Sequence, residues 1–155
     1  MLVASYLALI DQAYNRQSWH GTNLRGSIRG VTLAQAAWRQ RPDAHNIWEL
    51  VVHAAYWKYV VRRRITGEKR GSFPLEGSNF FARPVTGSDA EWKRDIALLD
   101  AEHRALREVV GNLAEASLKA ARGGKRNKTA WMVAGIAAHD LYHAGQIQLL
   151  KRLQK

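Results

Sequence analysis

No cysteine occurs among the 155 residues. Disulfides, thiolate catalysis and cysteine-based zinc sites are therefore excluded. The chain is compatible with a reducing cytoplasm, the location expected for it. No apolar run approaches the roughly eighteen residues needed to span a bilayer, so no membrane partner is expected. The opening, MLVASYLALIDQAY, resembles a short signal core but lacks a basic leader and a small-residue cleavage site. Leu2, Tyr6, Leu9 and Ala13 recur there at helical spacing and predict an amphipathic helix over about residues 2–18. Acidic residues are also scarce, 13 against 24 Lys plus Arg, which leaves a formal charge of +11. That balance invites nucleic acid, an anionic membrane or acidic ligands and says little about fold.

What is present is mostly helix. The length predicts a single domain over residues 1–155. HGTNLRGSIRG reads as a loop. Thr32 is placed to cap a short helix, LAQAAWRQ, that Pro42 stops. Asn46 is placed to cap a second long helix. Ile47, Leu50, Val51, Ala54, Trp57 and Val61 form its stripe, and Gly67 its stop. Residues 67–87 hold both remaining prolines and read as a long crossover or lid. Ser88 and Glu91 form a capping box. The helix it opens carries Trp92, Ile96, Leu99, Leu106 and Val110 as its stripe and ends or bends at Gly111. RGGKRNK is another loop, after which Thr129 caps a last helix to about Leu150. Four long amphipathic helices with a long crossover between the second and third predict an all-α four-helix bundle.

The last helix reads AAHDLYHAGQIQLLKR. His139 and His143 stand four residues apart, so their rings share a face and can grip one metal ion. HDLYH brushes the metalloprotease pattern HExxH, but Asp140 is one methylene short of the Glu that such sites use. No His, Asp or Glu follows His143. A third ligand must therefore come from upstream. The candidates are His20 in a loop, His45 before a helix start, His53 inside the second helix and His103 on the third. His53 fits best, among apolar neighbours one turn after Glu49, and His103 is next. His53 is equally readable as a core histidine, His103 more readily as a buried core histidine than as a ligand, while His20 and His45 read as solvated.

RPDAHNIWELVVHAAYWKYVVRRRITGE and AAHDLYHAGQIQLLKR together resemble the DinB-like (DinB/YfiT) superfamily. The resemblance implies a four-helix bundle with an atypical connection order. It also implies a divalent metal held by three histidines, one on the second helix and two on the fourth. Carried onto this chain, these are His53, His139 and His143. Gln146 matches the Gln of the family's GQ and is not expected to be a ligand. Assigned activities in the family are thiol-dependent transfers or isomerisations with bacillithiol, mycothiol or glutathione. A homodimer is implied as well.

Three imidazoles leave a coordination position open, as in catalytic rather than structural zinc sites. Such an ion serves a hydrolase by acidifying water or an S-transferase by binding a thiolate, which favours zinc or nickel. A small-molecule substrate and a low-molecular-weight thiol cosubstrate follow as expectations. Glu49 is a candidate base or imidazole-orienting group, or else a surface carboxylate. Asp140 is expected to pair with Arg or Lys, Tyr142 to be core, and Trp57 to wall a ligand groove or fill the core. The rivals are a basic nucleic-acid-associated protein and a non-enzymatic metal-binding bundle. No nucleic-acid recognition motif is present, and Arg62, Arg63 and Arg64 point three ways round a helix.

Overall fold

The computed structural model describes residues 2–119 and 128–155. The RGGKRNK loop, apart from Lys128, lies outside them. All the regular elements among the described residues are helices: α1 (Leu2–Tyr14), α2 (Leu24–Ile28), α3 (Leu33–Ala37), α4 (Ile47–Thr66), α5 (Asp89–Gly111), a 3-10 turn (Glu115–Lys119) and α6 (Thr129–Leu153).

The long helices begin where side-chain caps are available. Asn46 accepts from the Glu49 amide to open α4, and Gly67 closes it in the left-handed conformation at φ 80°. Ser88 and Glu91 satisfy each other's backbone amides at the start of α5. At α6 the N-cap position belongs to Lys128, without a side-chain cap, and the expected cap Thr129 is the first helical residue. The helix also runs three residues past Leu150, to Leu153.

The first forty residues depart most from expectation. The first helix stops at Tyr14 rather than near residue 18. Asn23 draws the chain out of helix: its Nδ2 donates to the Arg16 carbonyl, and its Oδ1 accepts from the Gly26 amide to cap α2. That short helix lies inside the segment expected to be a loop, and Gly30 at φ 72° follows its end. The buried face of α1 is Ile10, Ala13 and Tyr14, whereas Leu2 and Leu9 of the expected stripe are exposed. The capping box of α3, Thr32 with Gln35, is present, but the helix ends at Ala37 rather than Gln40. Arg39 leaves it to bond the Ala44 carbonyl and the Glu49 carboxylate.

Helix α4 packs against both α5 and α6, and α1 packs against the other sides of the same two helices. Both faces of α4 are consequently buried: Trp48, Val51, Val52, Ala54, Ala55 and Tyr59 are all in the interior. The segment between α4 and α5 is anchored rather than loose. Phe81 is buried, Arg83 pairs with Asp95 at 2.7 Å, and Trp48 donates to the same carboxylate at 2.6 Å. A Cβ on Gly87 would sit 2.5 Å from the Trp48 ring, so only glycine allows this close crossing. No helix among the described residues is long and apolar enough to cross a membrane.

Candidate metal centre

α4 contributes His53, and α6 contributes His139 and His143, one turn apart. Packing of α4 on α6 brings the three rings together, with one ring nitrogen from each within 4.8 Å of the others. His53 Nε2 and His143 Nε2 lie 3.0 and 3.1 Å from His139 Nε2. Two nitrogens bonded to one zinc at about 2.0–2.1 Å stand roughly 3.3 Å apart at tetrahedral angles, so the cluster has nearly the right span.

The atoms behind the rings set their tautomers. His53 Nδ1 lies 2.8 Å from the carbonyl oxygen of Asn79, which can only accept. The ring therefore carries its proton on Nδ1 and turns the Nε2 lone pair inward. His143 Nδ1 lies 2.6 Å from Gln146 Oε1 and does the same. His139 Nδ1 is buried and has no hydrogen-bond partner. One imidazole N–H in the centre can satisfy only one facing lone pair. Two lone pairs converging on a third ring are thus incompletely met by the protein, and a cation meets all three. Burial pushes His53 down to about 4 and His139 to about 3, and it also lowers His143. Near neutrality all three rings are uncharged, the form that binds metal.

The rings floor a cavity of about 660 Å³. Its walls are largely apolar: Leu50, Trp57, Phe80, Leu149 and Leu150, with Tyr142 at the edge. Phe80 stacks on the His53 ring with centroids 4.0 Å apart. Trp57 donates to Asn79 Oδ1 at 3.0 Å and lines the cavity while also packing on the core, so it takes both of the roles open for it. Asn79 holds φ 67°, a conformation Asn adopts more readily than other side-chain-bearing residues. That backbone turn is what delivers its carbonyl to His53.

The remaining candidates are placed as follows. His103 is buried, stacked on Tyr14 at 3.8 Å and near Asp11, outside the cluster. His20 is exposed. Glu49 is buried, and its carboxylate is gripped by Arg39 and by His45 Nδ1 at 2.9 Å. Burial pushes Glu49 up, but these two partners outweigh it and hold the group below the usual carboxylate range. Asp140 pairs with Lys58, both fully buried beneath the cluster. Tyr142, expected in the core, is instead exposed at the cavity edge.

The sequence offers His45 only as a solvated alternative ligand and gives no sign of Asn79 or Phe80 at the site. His45, partly exposed as expected, also lines the cavity, stacked on the far face of Phe80 at 3.6 Å. Its four-residue spacing from Glu49 was the signal available for that pairing. Nothing local marks Asn79 and Phe80, which reach the site through the long α4–α5 connection.

Comparison of the chain with curated proteins found no match, and neither did comparison with solved structures. The family model of the DinB superfamily matches residues 16–147, a span that takes in α4, α5 and all three clustered histidines. By that match over most of its length, the chain belongs to the DinB superfamily.

Proposed function

We propose that this protein is a divalent-metal-dependent enzyme of the thiol-dependent S-transferase or hydrolase type, with His53, His139 and His143 as the metal ligands. The observation that carries the reading is the convergence of the three Nε2 atoms, two of them with tautomers fixed from behind. Zinc or nickel suits the all-nitrogen ligand set and a sulfur cosubstrate. When bound, the ion supplies a Lewis acid that activates a thiol or a water for attack.

The chain's own residues do the rest. Asn79 and Gln146 hold the ligand rings in register. Leu50, Trp57, Phe80 and Leu149 bind the apolar part of a small substrate and keep water from it. His45, steadied by Glu49, is the proton acceptor at the cavity wall, which makes Glu49 a positioning residue for that ring. The four long helices are read as a single DinB-like bundle over residues 1–155, with residues 67–87 as its crossover. The protein is further read as a cytoplasmic homodimer.

The test uses zinc-loaded and nickel-loaded protein with 1-chloro-2,4-dinitrobenzene plus glutathione, mycothiol or bacillithiol, and separately with p-nitrophenyl acetate. Thiol conjugation or ester hydrolysis that disappears in His53→Ala supports the reading. Metal-loaded protein that accelerates neither reaction over free metal contradicts the enzymatic assignment.

A further inference from the structure

Arg62, near the end of α4, is held by Glu68 and Glu102. Its neighbours Arg63 and Arg64, and Arg70 in the connection that follows, form no ion pair among the described residues. These three arginines line one groove of about 220 Å³ together with Trp57, Ser78 and Asn79, and no Asp or Glu lines it. Glu68 gives its carboxylate to Arg62 and only its carbonyl oxygen to Arg63 Nη1, at 3.2 Å. The Nε of Arg63 is buried without a hydrogen-bond partner. The Nε–Nη2 edge of a guanidinium is a fork that takes two oxygens of a carboxylate or phosphate, and the chain supplies no such oxygens to this one.

The groove adjoins the metal cavity, because Trp57 and Asn79 line both. On α4, His53, Trp57, Val60 and Arg64 follow one another at intervals of 4, 3 and 4 residues. The ligand ring, the cavity wall and a guanidinium therefore share one face of the helix. At 1.5 Å per residue, Val60 and Arg64 stand roughly 10–17 Å along the axis from His53. A groove of this size is smaller than the roughly 300–1,000 Å³ that hold a whole small ligand, and so suits one end of a molecule that begins next door. The metal cavity itself has no Lys, Arg, Asp or Glu in its lining. A charged group enclosed there would lack a partner, which is costly. Beyond Trp57 the three arginines supply one.

We propose that the groove of Arg63, Arg64 and Arg70 binds a carboxylate or phosphate group at one end of the small molecule whose reacting end lies in the metal cavity. The inference rests on the metal-dependent reading above and specifies its substrate class: an elongated molecule with an apolar body and one anionic end. The apolar body passes along Trp57, and Ser78 adds a hydroxyl beside the anion. A polynucleotide fits less well, since its phosphates need cations set out along a surface, whereas these three gather in one small groove.

Calorimetric titration of the full chain, zinc-loaded and metal-free, tests this with octyl phosphate against octanol and with 8-mercaptooctanoate against 8-mercaptooctanol. An anion is expected to bind about tenfold or more tighter than its uncharged counterpart. Preference for octyl phosphate alone puts the anion on a phosphorylated substrate, preference for 8-mercaptooctanoate alone puts it on the thiol, and either supports the groove. Arg63→Gln with Arg64→Gln is expected to abolish the preference while helical circular dichroism and zinc stoichiometry stay unchanged. Arg70→Gln, an exposed change outside any helix, is expected to reduce it. Arg29→Gln removes one charge outside the groove and is expected to leave it intact, which separates the groove from the overall +11. Equal affinity for anion and uncharged counterpart in the wild type, or a preference that neither groove variant diminishes, overturns the anion site and leaves the metal reading standing. Anion preference in a chain that takes up no zinc supports the groove and overturns the metal reading instead. Duplex DNA that displaces octyl phosphate at physiological salt overturns the small-molecule assignment.

Discussion

Two of the three clustered rings, those of His53 and His143, owe their direction to the acceptors behind them, Asn79 and Gln146. His139 is positioned by packing alone. All three share with His103 a buried setting that disfavours charge. Burial pushes His103 down to about 3 from the ordinary 6.5, with Lys58 and Arg107 adding to the effect. Between those two values the unfolded chain binds a proton that the folded chain refuses, so stability rises with pH across that window and is lost on acidification. Metal-free protein is expected to lose unfolding free energy steadily from pH 6.5 toward about pH 4. His103→Gln, away from the cluster, is expected to flatten that slope while leaving metal stoichiometry at pH 7 unchanged. Urea titrations at several pH values check this, and an unchanged slope would remove His103 from the account. The three clustered histidines were legible in the sequence, because four-residue spacing fixes a helix face and the superfamily resemblance fixes the third partner. His45 was not, since a residue just before a helix start has no face until the chain around it folds.

At the level of elements, α4 and α6 are joined by more than the histidines. Lys58 and Asp140 form an ion pair that is 1% exposed on both sides, within the interface the cluster spans. Burial pushes Asp140 up to about 6 against the pull of Lys58. Removing one partner strands the other: Lys58→Met is expected to cost about 3–5 kcal/mol of stability, and Lys58→Met with Asp140→Leu to recover most of it. Denaturant unfolding of the two variants checks this, and a double variant no more stable than the single would contradict it. The capping signals of α4 and α5 were legible because Asn46, Ser88 and Glu91 act on neighbours three residues away. α2 was not: Gly26 and Gly30 read as loop, while the Asn23 side chain that organises the turn works through the distant Arg16 carbonyl. The stripe of α1 was misplaced by one position because apolar residues lie on both sides of its true face. Tyr142 also looked like core in sequence, and only burial shows that it faces outward.

For the whole molecule, the +11 charge pointed toward polyanions, yet several basic side chains are held within the fold. Arg25 meets Asp100, Arg39 meets Glu49, Arg62 meets Glu68 and Glu102, Arg83 meets Asp95, and Arg107 meets Asp11. These pairs fix α2, α4 and α5 relative to one another and are unavailable as a free basic stripe. The proposed function rests instead on the cavity between α4 and α6, and on whether a cation sits among the three rings. Crystals grown with zinc, measured on both sides of the zinc absorption edge, answer that directly. The account predicts one anomalous peak per chain, about 2.0–2.1 Å from Nε2 of His53, His139 and His143. A peak elsewhere, or an empty cluster in protein saturated with zinc, would contradict it.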